Sequence, residues 1–151
     1  MTDLYHYTQC GLDYIYLVNG YRREETPYGA GVSIEHADQL HEAIALSVIT
    51  APQALRGQEL KFLRSMLDIS QARLGDLLGK SRATVARWES GLNEPIPGEA
   101  DRALRFFYAL TVAGDDVAKK IVDLLTEIDA IEHRMALFED TESGWRPKEA
   151  A

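Results

Sequence analysis

Ser70-Gln-Ala-Arg-Leu-Gly-Asp-Leu-Leu-Gly79, then Lys80, then Ser81-Arg-Ala-Thr-Val-Ala-Arg-Trp-Glu-Ser-Gly91 is the stretch on which the fold turns. Ser70 stands where an N-cap belongs, with Arg73 rather than Glu at the capping-box position. Leu74, Leu77 and Leu78 follow as one apolar helical face, joined by Ala72 on the side that approaches the next helix. Gly79 sits where that helix stops, and Ser81 can cap a second one. In the second helix Val85 and Trp88, three apart, face the first. Two short helices around a glycine-containing turn are the pattern of a helix-turn-helix.

Working outward, residues 57–67 place Leu60, Leu63, Met66 and Leu67 on one side of a preceding helix. Gly91 and Pro95-Ile-Pro97 close the second helix, and residues 99–110 read as a further helix with Ala103, Leu104, Phe107 and Leu110 available for burial. With Val85 and Trp88 turned inward, Arg82, Ala83, Thr84, Ala86 and Arg87 are left facing out. Such a helix fits a DNA major groove. Arginine reads guanine through two hydrogen bonds, and an alanine or threonine methyl can touch the methyl of thymine. Arg82, Ala83, Thr84 and Arg87 are therefore the candidate base readers. Gln71, Lys80 and Ser81, at the two helix starts, are candidates for phosphate.

With Arg64 upstream and Pro95 downstream, this segment resembles the Cro/repressor-like (XRE) helix-turn-helix family. Ser70, Gln71, Leu74, Gly79, Ser81, Thr84, Val85, Trp88, Glu89 and Gly91 carry the rest of the likeness. It departs at Gly75, where alanine is usual, and at Lys80, usually apolar. A glycine there should weaken its helix by up to about 1 kcal/mol relative to alanine. The resemblance implies that Gln71 binds phosphate and that Asn93 is a further phosphate contact. It also implies that Arg64 pairs with Glu89, holding the recognition helix while Val85 and Trp88 pack beneath it. More loosely, Tyr5-x-Tyr-x-x-Cys-Gly-Leu-Asp13, the Asn19-Gly20 turn and Arg56-Gly-Gln-Glu-Leu-Lys-Phe-Leu-Arg64 resemble MqsA-type antitoxin regulators. The paired Cys-x-x-Cys motifs of the zinc-binding members of that group do not occur in this chain, so only the regulator role carries over.

The flanks are less regular. Tyr14-Ile-Tyr-Leu-Val-Asn-Gly-Tyr21 reads as a strand running into a turn, and Val32-Ser33-Ile34 as a second short strand. Leu40, Ile44 and Val48 define a helix from about Asp38 to Thr50, ended by Pro52. Beyond Gly114, residues Val117, Ile121, Leu124, Ile128, Ile131, Met135 and Phe138 alternate steps of four and three. This reads as the seam of a helix running to about Glu139, either lying on the molecule's own core or, the favoured reading, pairing with a second copy through an antiparallel or mixed interface that also uses the N-terminal segment. Residues 140–151 read as a polar, frayed tail. The expected organisation is thus a small α+β unit over 1–53, for dimerisation or partner binding, and a helix-turn-helix domain over 54–113. A dimerising helix over 114–139 and a flexible tail follow. The fold class is mainly α.

The chain has 151 residues and a formal charge of −8, which at face value argues against a nucleic-acid partner. The charge is uneven, however. Residues 1–53 hold two basic against seven acidic residues, and 111–151 hold five against ten. Residues 54–110 hold nine basic against seven acidic. The acidic ends suit a basic protein partner, so the second expectation is a type II antitoxin that binds a toxin and autoregulates through the same helices. The first is a transcriptional regulator binding double-stranded DNA as a homodimer on a palindromic operator.

Other classes find little support. Neither a Gly-x-Ser-x-Gly elbow nor a dinucleotide fingerprint around Gly29-Ala30-Gly31 occurs, so no enzyme and no cofactor are expected. His36 and His41 have a zinc-like spacing, but His6 and Cys10 supply no proper partner pair, so no metal is expected. Tyr5, Tyr7, Tyr14, Tyr16, Tyr21 and Tyr28 read as packing rather than as a ligand pocket. One cysteine, no basic–apolar leader and no apolar run of about 20 residues point to the cytoplasm, with no membrane partner.

Overall fold

In the computed structural model, residues 3–124 and 135–149 are described. They fall into two compact units, one built from residues up to Ile44 together with those from 135 onward, the other from Ala45 to 124.

The first unit is mostly β. Its strands are β1 (Tyr5–His6), β2 (Ile15–Leu17), β3 (Tyr21–Thr26), β4 (Gly29–Ile34), β5 (Ala136–Thr141) and β6 (Gly144–Lys148). One sheet has the order β1-β2-β5-β6, with β2 and β5 parallel and the other pairs antiparallel. β3 and β4 form a separate two-stranded hairpin, Tyr21 opposite Ile34. In β2, Ile15 and Leu17 are buried while Tyr16 between them is half-exposed, the alternation of a strand with one inner face. The core adds Tyr7, Leu12, Phe138 and Trp145, with Leu40 and Ile44 from α1 (Ala37–Thr50).

Two contacts fasten the terminal strands. Asn19 Oδ1 accepts from the backbone N–H of Asp140 at 2.7 Å, and its Nδ2 donates to the Asp140 carbonyl at 3.3 Å. Trp145 lies over Gly20, where any side chain would strike the indole, and its Nε1 donates to the Glu35 carbonyl at 3.0 Å. Gly20 also has φ 74°, so both its conformation and its neighbour require glycine.

This arrangement corrects the expected C-terminal half. Residues 136–141 and 144–148 are a β-hairpin in the sheet, not the end of a long helix followed by a frayed tail. Phe138 is a fully buried strand residue, and Met135 precedes the strand. Ile128 and Ile131 lie outside the described residues. Pro147 is accommodated because β6 is an edge strand. The chain is therefore not simply mainly α: a helical domain is joined by two sheets. The boundary expected at residue 53 falls instead inside α1.

The second unit is helical. After the last turns of α1 come α2 (Gly57–Leu67), α3 (Gln71–Leu78), α4 (Arg82–Ser90) and α5 (Gly98–Tyr108). α5 runs into a π-helical turn, Ala109–Ala113, which ends at Gly114 with φ 100°, and α6 (Asp115–Leu124) follows. Leu60, Leu63, Leu74, Val85, Leu104 and Ile121 are fully buried. Ile121 belonged to the expected dimer seam but is spent on this unit's own core.

The entry to α2 is held by buried charge. Arg105, wholly buried, donates from Nε to Asp101 at 2.6 Å and from its terminal nitrogens to the carbonyls of Ile49, Ala51 and Gln53. Asp101 in turn accepts from the Leu55 backbone N–H at 2.7 Å. The segment between α1 and α2 is thereby fixed to α5. Because both ions are satisfied, their burial is tolerated.

Candidate nucleic-acid interface

α3 and α4 are each started by a serine. Ser70 Oγ accepts from the Arg73 N–H at 3.0 Å, and Ser81 Oγ accepts from the Thr84 N–H at 3.1 Å. Gly79 ends α3 in the left-handed region, with φ 69° and ψ 33°. The Lys80 N–H then turns back to the Gly75 carbonyl at 2.8 Å. At this point the Gly75 departure acquires a reason. A Cβ there would sit 2.5 Å from the Lys80 carbonyl oxygen, so the turn packs on bare backbone. The expected helix penalty is real, but alanine does not fit.

Behind α4 lies a single buried carboxylate. Glu89 is 6% exposed. Its Oε2 accepts from Arg64 Nε at 2.6 Å, and its Oε1 from Arg64 Nη2 at 3.0 Å and from Gln71 Nε2 at 3.1 Å. Arg64 Nη1 adds a bond to the Ile69 carbonyl at 3.0 Å. The hydrogen bond to Glu89 raises the Arg64 pKa above its already high value, against the opposing effect of burial, so the guanidinium stays charged. α2, the loop after it, the start of α3 and the recognition helix thus meet at one carboxylate. Val85 is fully buried beside it and Trp88 half-buried.

The far end of α4 is pinned as well. The N–H groups of Gly57 and Gln58 donate to the carbonyls of Glu94 and Leu92, and the Ile96 N–H donates to Leu55. A Cβ on Gly57 would collide with the carbonyl oxygens of Trp88 and Gly91, so glycine lets the start of α2 press on the end of α4. Gln58, buried although polar, donates from Nε2 to the Leu92 carbonyl and to Asn93 Oδ1. Sequence reasoning missed Gln58 because nothing local marks its partner 35 residues away. It also missed the capping box of α2, in which Glu59 accepts from the Arg56 backbone N–H at 2.8 Å and from the Arg56 side chain. The Arg-x-x-Glu spacing was a readable signal for that one.

What remains outside is basic. The pairs Arg56–Glu59, Arg64–Glu89 and Arg105–Asp101 remove three cations and three anions from the balance of residues 54–110. Of the others, Arg73, Lys80, Arg82 and Arg87 all lie on α3, the turn and α4, and all are exposed. Asp76 is the one exposed acid among residues 70–91. Ala83 is exposed and Thr84 half-exposed. Thr84 Oγ1 is engaged with Ser81 Oγ at 2.9 Å, leaving its methyl as the group free for an apolar contact. Gln71 is half-buried and shared with Glu89. Asn93 is exposed, and since its oxygen takes the Gln58 bond, its NH2 is the end left for a ligand.

The candidate metal ligands are dispersed to other tasks. His6 bonds the Asp13 carbonyl at 2.8 Å and stacks on Tyr16; His41 bonds the Tyr7 hydroxyl at 2.6 Å; His36 sits 3.5 Å from Asp140. Burial pushes the Cys10 thiol up, away from the thiolate form that binds metal. Among the described residues no cluster of three or more such groups is placed to hold an ion. The tyrosines split in the same way. Tyr7 is core, Tyr5 and Tyr21 meet as tilted rings with centroids 5.2 Å apart and Arg23 over both, and Tyr28 is 99% exposed.

Residues 60–107 match the helix-turn-helix family model, which supports a DNA-binding regulator. The match covers about a third of the chain and stops short of the β-rich unit. No curated protein and no solved structure matches, so the likeness to MqsA-type regulators gains no support from these comparisons. No described helix is long and apolar enough to cross a membrane.

Proposed function

From the helix-turn-helix at residues 60–107 as premise, we propose that this protein is a sequence-specific transcriptional regulator that binds double-stranded DNA as a homodimer on a palindromic operator. The observation that carries the reading is α4 itself, which exposes Arg82, Ala83 and Arg87 while Glu89 and Val85 hold it from behind. Thr84 adds its methyl. α4 enters the major groove, and a two-fold axis sets two such helices about 34 Å apart. Lys80, Ser81, Gln71 and Asn93 lie at the helix starts and just past α4, where the phosphate backbone runs.

Each of Arg82→Ala and Arg87→Ala should cost about 1–3 kcal/mol at one base position, relaxing specificity there. Gln71→Ala should weaken all sequences alike, and more than a lone phosphate contact would, because it also takes a donor from Glu89. Selection of bound DNA from a random pool, followed by mobility-shift titration of these variants, measures both. A double arginine variant that still bound the selected site at full affinity would end the reading.

One observation favours a protein partner in addition. All seven acidic residues in the first 44 positions are exposed, while Arg22 and Arg23 are paired to Glu35 and Asp3. That surface suits a small basic protein such as a toxin, and titration against the product of the adjacent reading frame tests it.

A further inference from the structure

Gln58, the second residue of α2, is only 3% exposed although its side chain is an amide. Burying such a group is costly unless its hydrogen bonds are made. Its Nε2 donates to the Leu92 carbonyl at 3.3 Å and to Asn93 Oδ1 at 3.1 Å. These two acceptors are not equivalent. A backbone carbonyl can only accept, so Leu92 fixes which end of the Gln58 amide meets the loop after α4. That NH2, once fixed, takes the oxygen of Asn93, whose own amide could otherwise turn either way. Asn93 is exposed and keeps its NH2 as the end that donates to a ligand. The polarity of a surface amide is thus set by a buried one on another helix.

The backbone around it does not depend on this side chain. The N–H groups of Gly57 and Gln58 donate to the carbonyls of Glu94 and Leu92 at 3.2 Å each. A substitution at Gln58 keeps both bonds and changes only the group that faces Leu92 and Asn93. The chemistry of a phosphate gives the orientation of Asn93 a consequence. Phosphate oxygens accept hydrogen bonds and carry negative charge, so an outward NH2 attracts them and an outward amide oxygen repels them.

We propose that Gln58 is a positioning residue for DNA binding: it touches no nucleic acid, but by holding the Asn93 oxygen it turns the Asn93 NH2 toward a backbone phosphate. The inference rests on the DNA reading above and adds to it the residue that decides which way one phosphate contact points. Mobility-shift titration of a double-mutant cycle on the full chain tests it. In the parent, Asn93→Ala should weaken binding about three- to tenfold, the worth of one neutral hydrogen bond, on the selected site and on scrambled DNA alike. The salt dependence should not change, because no charge is lost. Gln58→Glu puts an acceptor where the donor was, so Asn93 turns its NH2 inward and its oxygen outward. In that background Asn93→Ala should strengthen binding. A side chain that only stiffened the fold would leave the cost of Asn93→Ala the same, so the change of sign separates the two roles. Gln58→Met, uncharged and of similar length, carries the cycle if the glutamate variant does not fold. With methionine the cost of Asn93→Ala should shrink to less than about twofold, because the amide is no longer held. A cost that is absent from the parent, or the same in every Gln58 background, overturns the proposal while DNA binding stands. A parent that shifts no DNA removes the DNA reading itself, and this inference with it.

Discussion

The helix-turn-helix and the β-rich unit are held together by interactions of different range. In α3 and α4 the decisive contacts are local: a serine caps an N–H three residues on, a glycine turns the chain, and apolar residues recur three and four apart. In the β-rich unit they span the whole chain. Tyr16 pairs with Leu137, Asn19 with Asp140, and Trp145 with Gly20 and Glu35. Local order can be read along a sequence, but a strand whose partner is more than 100 residues away cannot be recognised from its own neighbours.

That contrast can be broken experimentally. The largest effect should come from Trp145→Ala. If residues 144–148 were a frayed tail the change would be nearly silent. As a buried strand residue against Gly20, Trp145 should cost about 3–5 kcal/mol in denaturant unfolding followed through the β-rich unit. Gly75→Ala comes next and sharpens the comparison from the other side. Helix propensity alone predicts a gain of up to about 1 kcal/mol. The collision with the Lys80 carbonyl predicts a loss of about 1–3 kcal/mol instead, with weaker DNA binding as the turn shifts. A stabilised Gly75→Ala protein would show that the turn is less tightly set than described.

The smallest effect is pH-dependent and confined to the β-rich unit. Burial lowers the His41 pKa below its ordinary 6.5, with Asp38 opposing, and its Nε2 lies 2.6 Å from the Tyr7 hydroxyl. The unfolded chain therefore takes up a proton first. Stability is full above about pH 6.5 and declines as pH falls below it. Burial, with Cys10 and Tyr5 nearby, pushes Tyr7 up to about 12, so its contribution is full below pH 10 and is lost as pH rises from there towards about 12. Near-UV circular dichroism of the tyrosines, with denaturant midpoints from pH 7.5 to 5, measures the acid limb. His41→Gln should flatten it.

The misread C-terminus has a physical cause. Met135 and Phe138 continue the four-three spacing of α6 in the sequence, but in the structure only Phe138, inside β5, is buried, while Met135 ahead of the strand is 48% exposed. What separates the readings is the parallel partner β2, whose backbone groups take up those of β5. Likewise, the negative total charge concealed the basic surface of α3 and α4. Which arginines are free there depends on Glu59, Glu89 and Asp101 having neutralised the others from inside.

The sequence by itself determined the helix-turn-helix: the Ser70 and Ser81 caps, the Gly79 stop, the inward Val85 and the outward Arg82 and Arg87 all follow from interactions a few residues long. Tertiary structure alone decided that the terminal strands join the N-terminal ones, that Gly75 must lack a side chain, and which face of α6 is spent on its own core. Each of these depends on a partner distant in sequence or on the space left by packing, and neither is encoded in the order of neighbouring residues.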